Sequence, residues 1–223
     1  MSEAPYARRV VDATTSGGLS RAERRDLATG DTKTAILGAA RERLLADGYA
    51  NLSTRAVAEA AAVPLSQIHY HFGSKRQLIL AVLDAENVRL LERQREMFDT
   101  PQPLWVRWER ACDFLDADID SGYVRILQEM IAAGWSDPEV ADAVRRMMGG
   151  WYGLLEEVAQ REVERGADFG EFTPGEVAAL MGTPFIGAEE LILLGVSETT
   201  LPMRSALRKV GRLLQRVEVG DAR

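Results

Sequence analysis

A chain of 223 residues with 46% hydrophobic content can bury a sizeable core as one or two domains. Its net charge of −7 is unevenly spread: residues 1–30 carry net +1, residues 31–80 net +2 and residues 81–223 net −10. No apolar run is long enough for a helical membrane span, one cysteine rules out an internal disulfide, and the N-terminus shows no hydrophobic signal core, so a cytoplasmic protein is expected.

Residues 1–31 form a polar extension with Gly17-Gly18 and scattered arginines. Ser20-Arg21-Ala22-Glu23 has capping-box spacing, so one short helix can start there; a flexible tail is the plainer reading. Helical spacing of Ile36, Ala39/Ala40 and Leu44 predicts a first helix over Thr32–Asp47, stopped by Gly48. Tyr49 and Leu52 then close a small core.

Leu52–Arg76 is the stretch around which the chain is organised. Ser53 or Thr54 suits the N-cap of a short helix in which Val57 and Ala60/Ala61 share one face. Pro64 suits the first turn of a second helix, whose Ile68 and Phe72 point inward while Leu65, Ser66, Gln67, His69 and Tyr70 lie on other faces. Two short packed helices joined by a tight turn, the second outwardly polar, form a helix-turn-helix that can enter the major groove of DNA. The net positive charge of residues 31–80 suits that use, and the acidic remainder favours one docking orientation. In the preceding extension, Arg8/Arg9 or Arg24/Arg25 can serve as an arm to the DNA backbone or minor groove.

Ser74 begins a long helix to about Phe98, with Leu78, Val82, Ala85 and Leu91 inside, broken by Thr100-Pro101-Gln102-Pro103. Further helices are expected over Leu104–Ser121, Tyr123–Gly134, Pro138–Gly166, Pro174–Leu194 and Thr200–Val217. No stretch alternates with period two, so the chain is all-α. Three regions follow: the extension 1–31, a helix-turn-helix domain 32–80, and a helical body 81–223.

Asp31–Leu91 resembles the DNA-binding domain of the TetR family of bacterial transcriptional regulators. The resemblance runs through Ala58-Glu59-Ala60-Ala61-Ala62-Val63, Ile68-His69-Tyr70-His71-Phe72 and Ser74-Lys75. Two positions depart from the family's habit. Ala62 stands where glycine is usual, so the backbone there must avoid positive φ or tolerate strain. His69 stands in place of a tyrosine. The resemblance implies a base or phosphate contact by Arg55, for which a solvated arginine is the plain alternative, and base contacts by Leu65, Ser66 and Gln67, with Tyr70 along the groove wall. It implies phosphate contacts by Thr54, His69, His71 and Lys75. For His71, a capping or core-edge role is an equal alternative.

The resemblance also implies a homodimer on a near-palindromic double-stranded operator, built from the last two long helices. Val177, Leu180, Met181, Ala188 and Leu191 on one, and Ala206, Val210, Leu213 and Leu214 on the other, are the expected interface. Gly187 and Gly211 would permit close helix approach there. Monomer core is the plain alternative for this surface. Between head and interface, Trp105, Trp108, Met130, Met147, Trp151 and Phe185, with Phe114, Trp135, Met148 and Tyr152, are candidates to line a cavity for an apolar or aromatic effector. By analogy with the family, the effector would tilt the long helix and change the spacing of the heads, most simply releasing a repressor.

Catalysis is not expected. His69 and His71 diverge on a helix, and no phosphate loop, zinc spacing or nucleophile elbow occurs. Glu156/Glu157 and Glu189/Glu190 are adjacent rather than face-sharing and read as solvated or interface charges. Cys112 reads as a small buried hydrophobe. No cofactor or metal is expected. The competing reading is a helical ligand-binding or protein-interaction module with a degenerate head.

Overall fold

The computed structural model of the chain describes residues 21–219, and every regular element among them is a helix. In chain order these are α1 (Arg21–Asn51), α2 (Thr54–Ala60), α3 (Leu65–Phe72), α4 (Lys75–Phe98), α5 (Leu104–Asp120), α6 (Tyr123–Gly134), α7 (Pro138–Glu164), α8 (Pro174–Leu193) and α9 (Met203–Val219). The all-α architecture and the N-terminal helix-turn-helix are both observed. No described helix is long and apolar enough to cross a membrane.

The largest departure from the sequence reading lies in α1, which starts at Arg21 rather than Thr32. No proline interrupts residues 21–31, and Ala22, Leu27 and Ala28 are good helix formers, so the helix runs on through Gly30. The first 20 residues, with Arg8 and Arg9, lie outside the described residues, as do the side chains of Arg24 and Arg25. At the other end Gly48 leaves helical geometry (φ 76°, ψ 167°), which is the expected stop, but three more residues wind on to Asn51.

Two hydrophobic cores share α4. The first joins Ile36 and Leu44 of α1, Val57 of α2, Ile68 and Phe72 of α3 and Leu78 and Val82 of α4 to Val124, Ile126 and Met130 of α6 and Val140 of α7. The head is therefore packed on the body through one continuous core. The second gathers Met97 and Phe98 of α4, Trp108 and Leu115 of α5, Leu154 and Val158 of α7, Phe185 and Ala188 of α8 and Leu207 and Leu214 of α9.

Polar bonds fix the head on α6 and its flanks. Arg125 donates to the Leu45 carbonyl (2.9 Å), and Glu129 accepts from the Tyr49 amide (2.5 Å). Arg41 bridges Glu86 (3.0 Å) and the Ser121 carbonyl (2.7 Å). Between them Gly122 takes φ 80°, and a Cβ there would lie 2.5 Å from Leu45 Cδ2, so this corner needs glycine both for its backbone and for the close approach of α1. At the start of α7, Asp137 and Glu139 pair with Arg76 (2.8 and 2.5 Å), and Glu139 also accepts from Gln77.

In the body, the Arg107–Glu162 pair is almost fully enclosed (side chains 1% and 5% exposed; 2.6 Å). Arg107 also donates to the Phe98 carbonyl (2.8 Å), tying the end of α4 to α5 and α7. Trp108 donates to the Leu207 carbonyl (2.7 Å), seating α5 on α9.

Candidate nucleic-acid interface and regulatory cavity

The helix-turn-helix is built from short-range devices. Ser53 occupies the N-cap of α2 in extended conformation but makes no side-chain capping bond. Val57 and Ala58 are buried and Ala61 half-buried, whereas Ala60 is exposed, so the inward face is rotated from the expected Val57–Ala60–Ala61 set. The turn is a Schellman motif: the Ala62 amide bonds the Glu59 carbonyl (3.1 Å), and the Val63 amide reaches Ala58 (3.0 Å). That motif demands a left-handed residue, and Ala62 supplies it at φ 53°. The chain thus accepts the strain that glycine would relieve, roughly 1–2 kcal/mol for a residue carrying a Cβ. Pro64 sits at the N-cap of α3, one residue ahead of its expected place in the first turn.

Along α3, Ile68 and Phe72 are buried as expected. Ser66, His69 and Tyr70 share the outward face, Tyr70 with 69% of its surface open, while Gln67 and His71 flank it half-buried. Leu65 is half-buried and packs against the head's own core, which restricts its reach toward a base edge. Arg55 on α2 is exposed, and Thr54 half-buried.

His69 Nδ1 lies 3.1 Å from the Gly73 carbonyl, a geometry in which the ring donates. Nε2 of the neutral ring is then an acceptor only, so His69 gives a proton to a phosphate oxygen only as imidazolium. The half-buried His71 ring lies beside those of Tyr70 (centroids 5.0 Å apart) and Phe72 (6.1 Å). Lys75 donates to the Ala50 carbonyl (3.1 Å) and lies over the Tyr49 ring, so it both closes the α1–α2 corner and faces outward beside α3.

The head's positive charge is less free than its formal count suggests. Arg41, Arg43 and Arg76 are each paired with carboxylates. Lys33 and Arg55 have no carboxylate partner among the described residues.

The body holds a narrow cavity of about 50 Å³ between α4, α5, α6, α7 and α8. Trp108, Met147, Trp151 and Phe185 line it, together with Phe114 and Met148. Trp105 and Met130 do not. Met130 is wholly enclosed in the first core, and Trp105 lies on the side of α5 facing Glu218. Trp135 is 83% exposed and Tyr152 bonds Thr183 outside the cavity, so neither lines it.

Sequence reasoning missed the polar lining: Asn87, Gln94, Asp118, Tyr123 and Glu189. A signal was present, because Asn87 and Gln94 fall in the inward stripe of α4 between Leu83 and Phe98. Gln94 accepts from Trp151 Nε1 (2.8 Å), and Arg93 holds Asp118 through both carboxylate oxygens (2.7 and 2.6 Å). Burial raises the carboxyl of Asp118, with Arg93 opposing the shift, and burial also raises the phenol of Tyr123. Glu189, expected as a solvated or interface charge, instead faces this cavity. Burial, and secondarily Asp118, push its carboxyl up to about 8. Cys112 is buried as expected, and burial pushes its thiol up to about 11, which leaves it unreactive.

The expected dimer residues divide. Val177, Ala188 and Leu214 are buried in the chain's own core, because α8 and α9 turn those sides onto α5 and α7. Leu180, Ala206 and Leu213 are exposed, with Met181, Leu191 and Val210 half-buried. Gly211 serves intrachain packing, since a Cβ there would meet Trp108 at 3.3 Å; Gly187 has open space.

Residues 36–82 match the family described as bacterial regulatory proteins, tetR family. The chain is similar to the HTH-type transcriptional regulator UidR of Escherichia coli K12, 29% identical over 119 residues, 49% of this chain. The match spans about half of that regulator's length (55%). Among solved structures, a putative TetR-family transcriptional regulator from Rhodococcus sp. superposes with TM-score 0.71 at 20% identity, covering 83% of this chain and 98% of its own. Bacillus subtilis FadR in complex with stearoyl-CoA gives TM-score 0.68 at 13% identity, with 81% and 96% covered. Over residues 36–82 the chain matches the tetR family, and its described residues share the all-helical fold of the solved TetR-family regulator.

Proposed function

We propose that the protein is a sequence-specific DNA-binding transcriptional regulator, with a reading head over residues 32–80 and a regulatory body over 81–223. One observation carries the DNA reading: α3 stands on buried Ile68 and Phe72 and turns Ser66, His69 and Tyr70 outward. Ser66 and Gln67, at its N-terminal end, are the base-edge candidates, and Gln67 suits bidentate pairing with adenine. Arg55 extends the contact from α2. Thr54, His69, His71 and Lys75 hold phosphate and set register.

A single head spans too few base pairs for selectivity. Two copies related by twofold symmetry would present heads about 34–36 Å apart on a near-palindromic operator. The exposed apolar side chains Leu180 and Leu193 of α8 and Leu213 of α9 support pairing on that face. Leu213→Glu is expected to give a monomer by light scattering.

The cavity between head and dimer face supports control by a small effector, as does the stearoyl-CoA held by FadR on the same fold. Tyr123 and Leu127 of α6 line the cavity, and Arg125 and Glu129 of the same helix grip the end of α1. A ligand that shifts α6 or α4 therefore shifts the head. Release of a repressor requires about 2.7 kcal/mol of coupling for a hundredfold loss of DNA affinity.

Selection of bound duplexes from random DNA, followed by titration of two variants, tests the assignment. Gln67→Ala should relax discrimination at one base pair by about 1–3 kcal/mol. Lys75→Ala should weaken binding to every sequence and flatten the salt slope by about one unit. If the lysine variant alters sequence preference and the glutamine variant does not, the two roles are reversed. Absence of any salt-sensitive duplex binding removes the regulator reading.

A further inference from the structure

The geometry points to a small organic cation, an ammonium group on an apolar body, as the ligand class of the cavity, with Glu189 as its counter-ion. The inference rests on the effector reading above and concerns which chemistry that cavity accepts.

Two carboxylates face the cavity, Asp118 from α5 and Glu189 from α8. One cation, Arg93 of α4, stands near them, and both of its short bonds go to Asp118. Glu189 Oε2 is closed off from solvent and has no hydrogen-bond partner. A buried carboxylate oxygen without a partner is costly, and no cationic side chain relieves it. The remaining neighbours do not supply a charge. Gln128 of α6 only partly offsets the burial of Glu189, and Tyr123 of α6 carries a phenol that stays protonated. Glu86 on α4 is itself acidic and is held by Arg41 and Arg89. From α7 come Met147, Met148 and Trp151, all uncharged.

The apolar walls suit the rest of such a ligand. Trp108 and Phe185 meet edge to face at 5.1 Å, and ring faces attract cations, as Phe114 already does with the Arg93 guanidinium at 4.3 Å. The cavity is small, so the ligand is small too, or the adaptable Met147 and Met148 move aside for it. Without a cation, a proton is what neutralises Glu189, which fits a carboxyl raised to about 8. Binding an ammonium ion therefore expels that proton, and affinity climbs about tenfold per pH unit below 8 before levelling.

Calorimetric titration of the full chain with benzylammonium, benzyl alcohol and benzoate, between pH 6 and 8, tests this. Benzylammonium should bind at least tenfold tighter than benzyl alcohol at pH 8, with proton release and with affinity falling toward pH 6. Glu189→Gln should erase both the preference and the pH dependence; its circular dichroism checks that it is folded. Equal or tighter binding of the alcohol or benzoate overturns the cation assignment and leaves the effector reading standing. Retention of the ammonium preference in Glu189→Gln overturns Glu189 as the counter-ion. If no probe of any charge binds, the cation assignment falls together with the effector reading.

Discussion

The head and the body solve burial differently. In the head, the buried side chains from Ile36 to Leu83 are apolar, and polar groups stay on the outside or at helix ends. In the body, enclosed polar or charged side chains recur: Asn87, Gln94, Arg107, Asp118 and Glu162 among the described residues. An apolar core fixes one shape for the head. Enclosed polar groups hold their place only with partners, and Glu189 Oε2 stands without one.

The strongest way to break this contrast is to remove one member of the body's enclosed pair. Arg107→Ala leaves Glu162 buried with only the half-exposed Arg165 beside it (2.7 Å), and should lower unfolding free energy by about 3–5 kcal/mol in a urea titration. A loss below about 1 kcal/mol would mean that the pair contributes little to the fold. In the head, Phe72→Ala should cost a similar amount, about 3–5 kcal/mol, through a cavity rather than a charge. It should abolish DNA binding without touching a DNA-facing residue.

Glu189 sharpens the contrast through pH. Its carboxyl is raised in the folded chain, so the folded state holds a proton that the unfolded state has already lost. Stability contributed by that proton is present at low pH and is lost as pH rises from the usual carboxylate range to about 8. Glu189→Gln should therefore match the wild type near pH 4 and exceed its Tm at pH 8; a wild-type advantage at pH 8 would place a partner on Glu189. The smallest effect belongs to the head's one strained turn. Ala62→Gly should stabilise by about 1 kcal/mol, raising Tm by a few degrees without altering DNA sequence preference.

How legible these regions were in the sequence follows the range of the interactions. Helix starts at Ser74, Asp137 and Thr173 were visible because capping is local: Ser74 accepts from the Gln77 amide, and Thr173 with Glu176 completes a capping box. The inward stripe of α3 was equally plain, since Ile68 and Phe72 lie one helical turn apart. Over α2 the same logic slipped, because a seven-residue helix with alanines at 56, 58 and 60 carries too little contrast to fix its face. The dimer and cavity assignments split for a different reason. Val177 and Leu180 are both apolar and neighbours on α8, yet one is buried and the other open. No local pattern tells a side chain whether another helix of its own chain covers it.

Sequence by itself determined the helices, the breaks between them, the helix-turn-helix and the separation of positive head from negative body, because each depends on residues within a few turns of one another. Tertiary structure decided that α6 clasps the end of α1, that Lys75 and three head arginines are already engaged, and that Glu189 lines the body's cavity with one carboxylate oxygen shut off from solvent. Those outcomes depend on groups brought together from opposite ends of the chain, where burial and the supply of partners are set by packing alone.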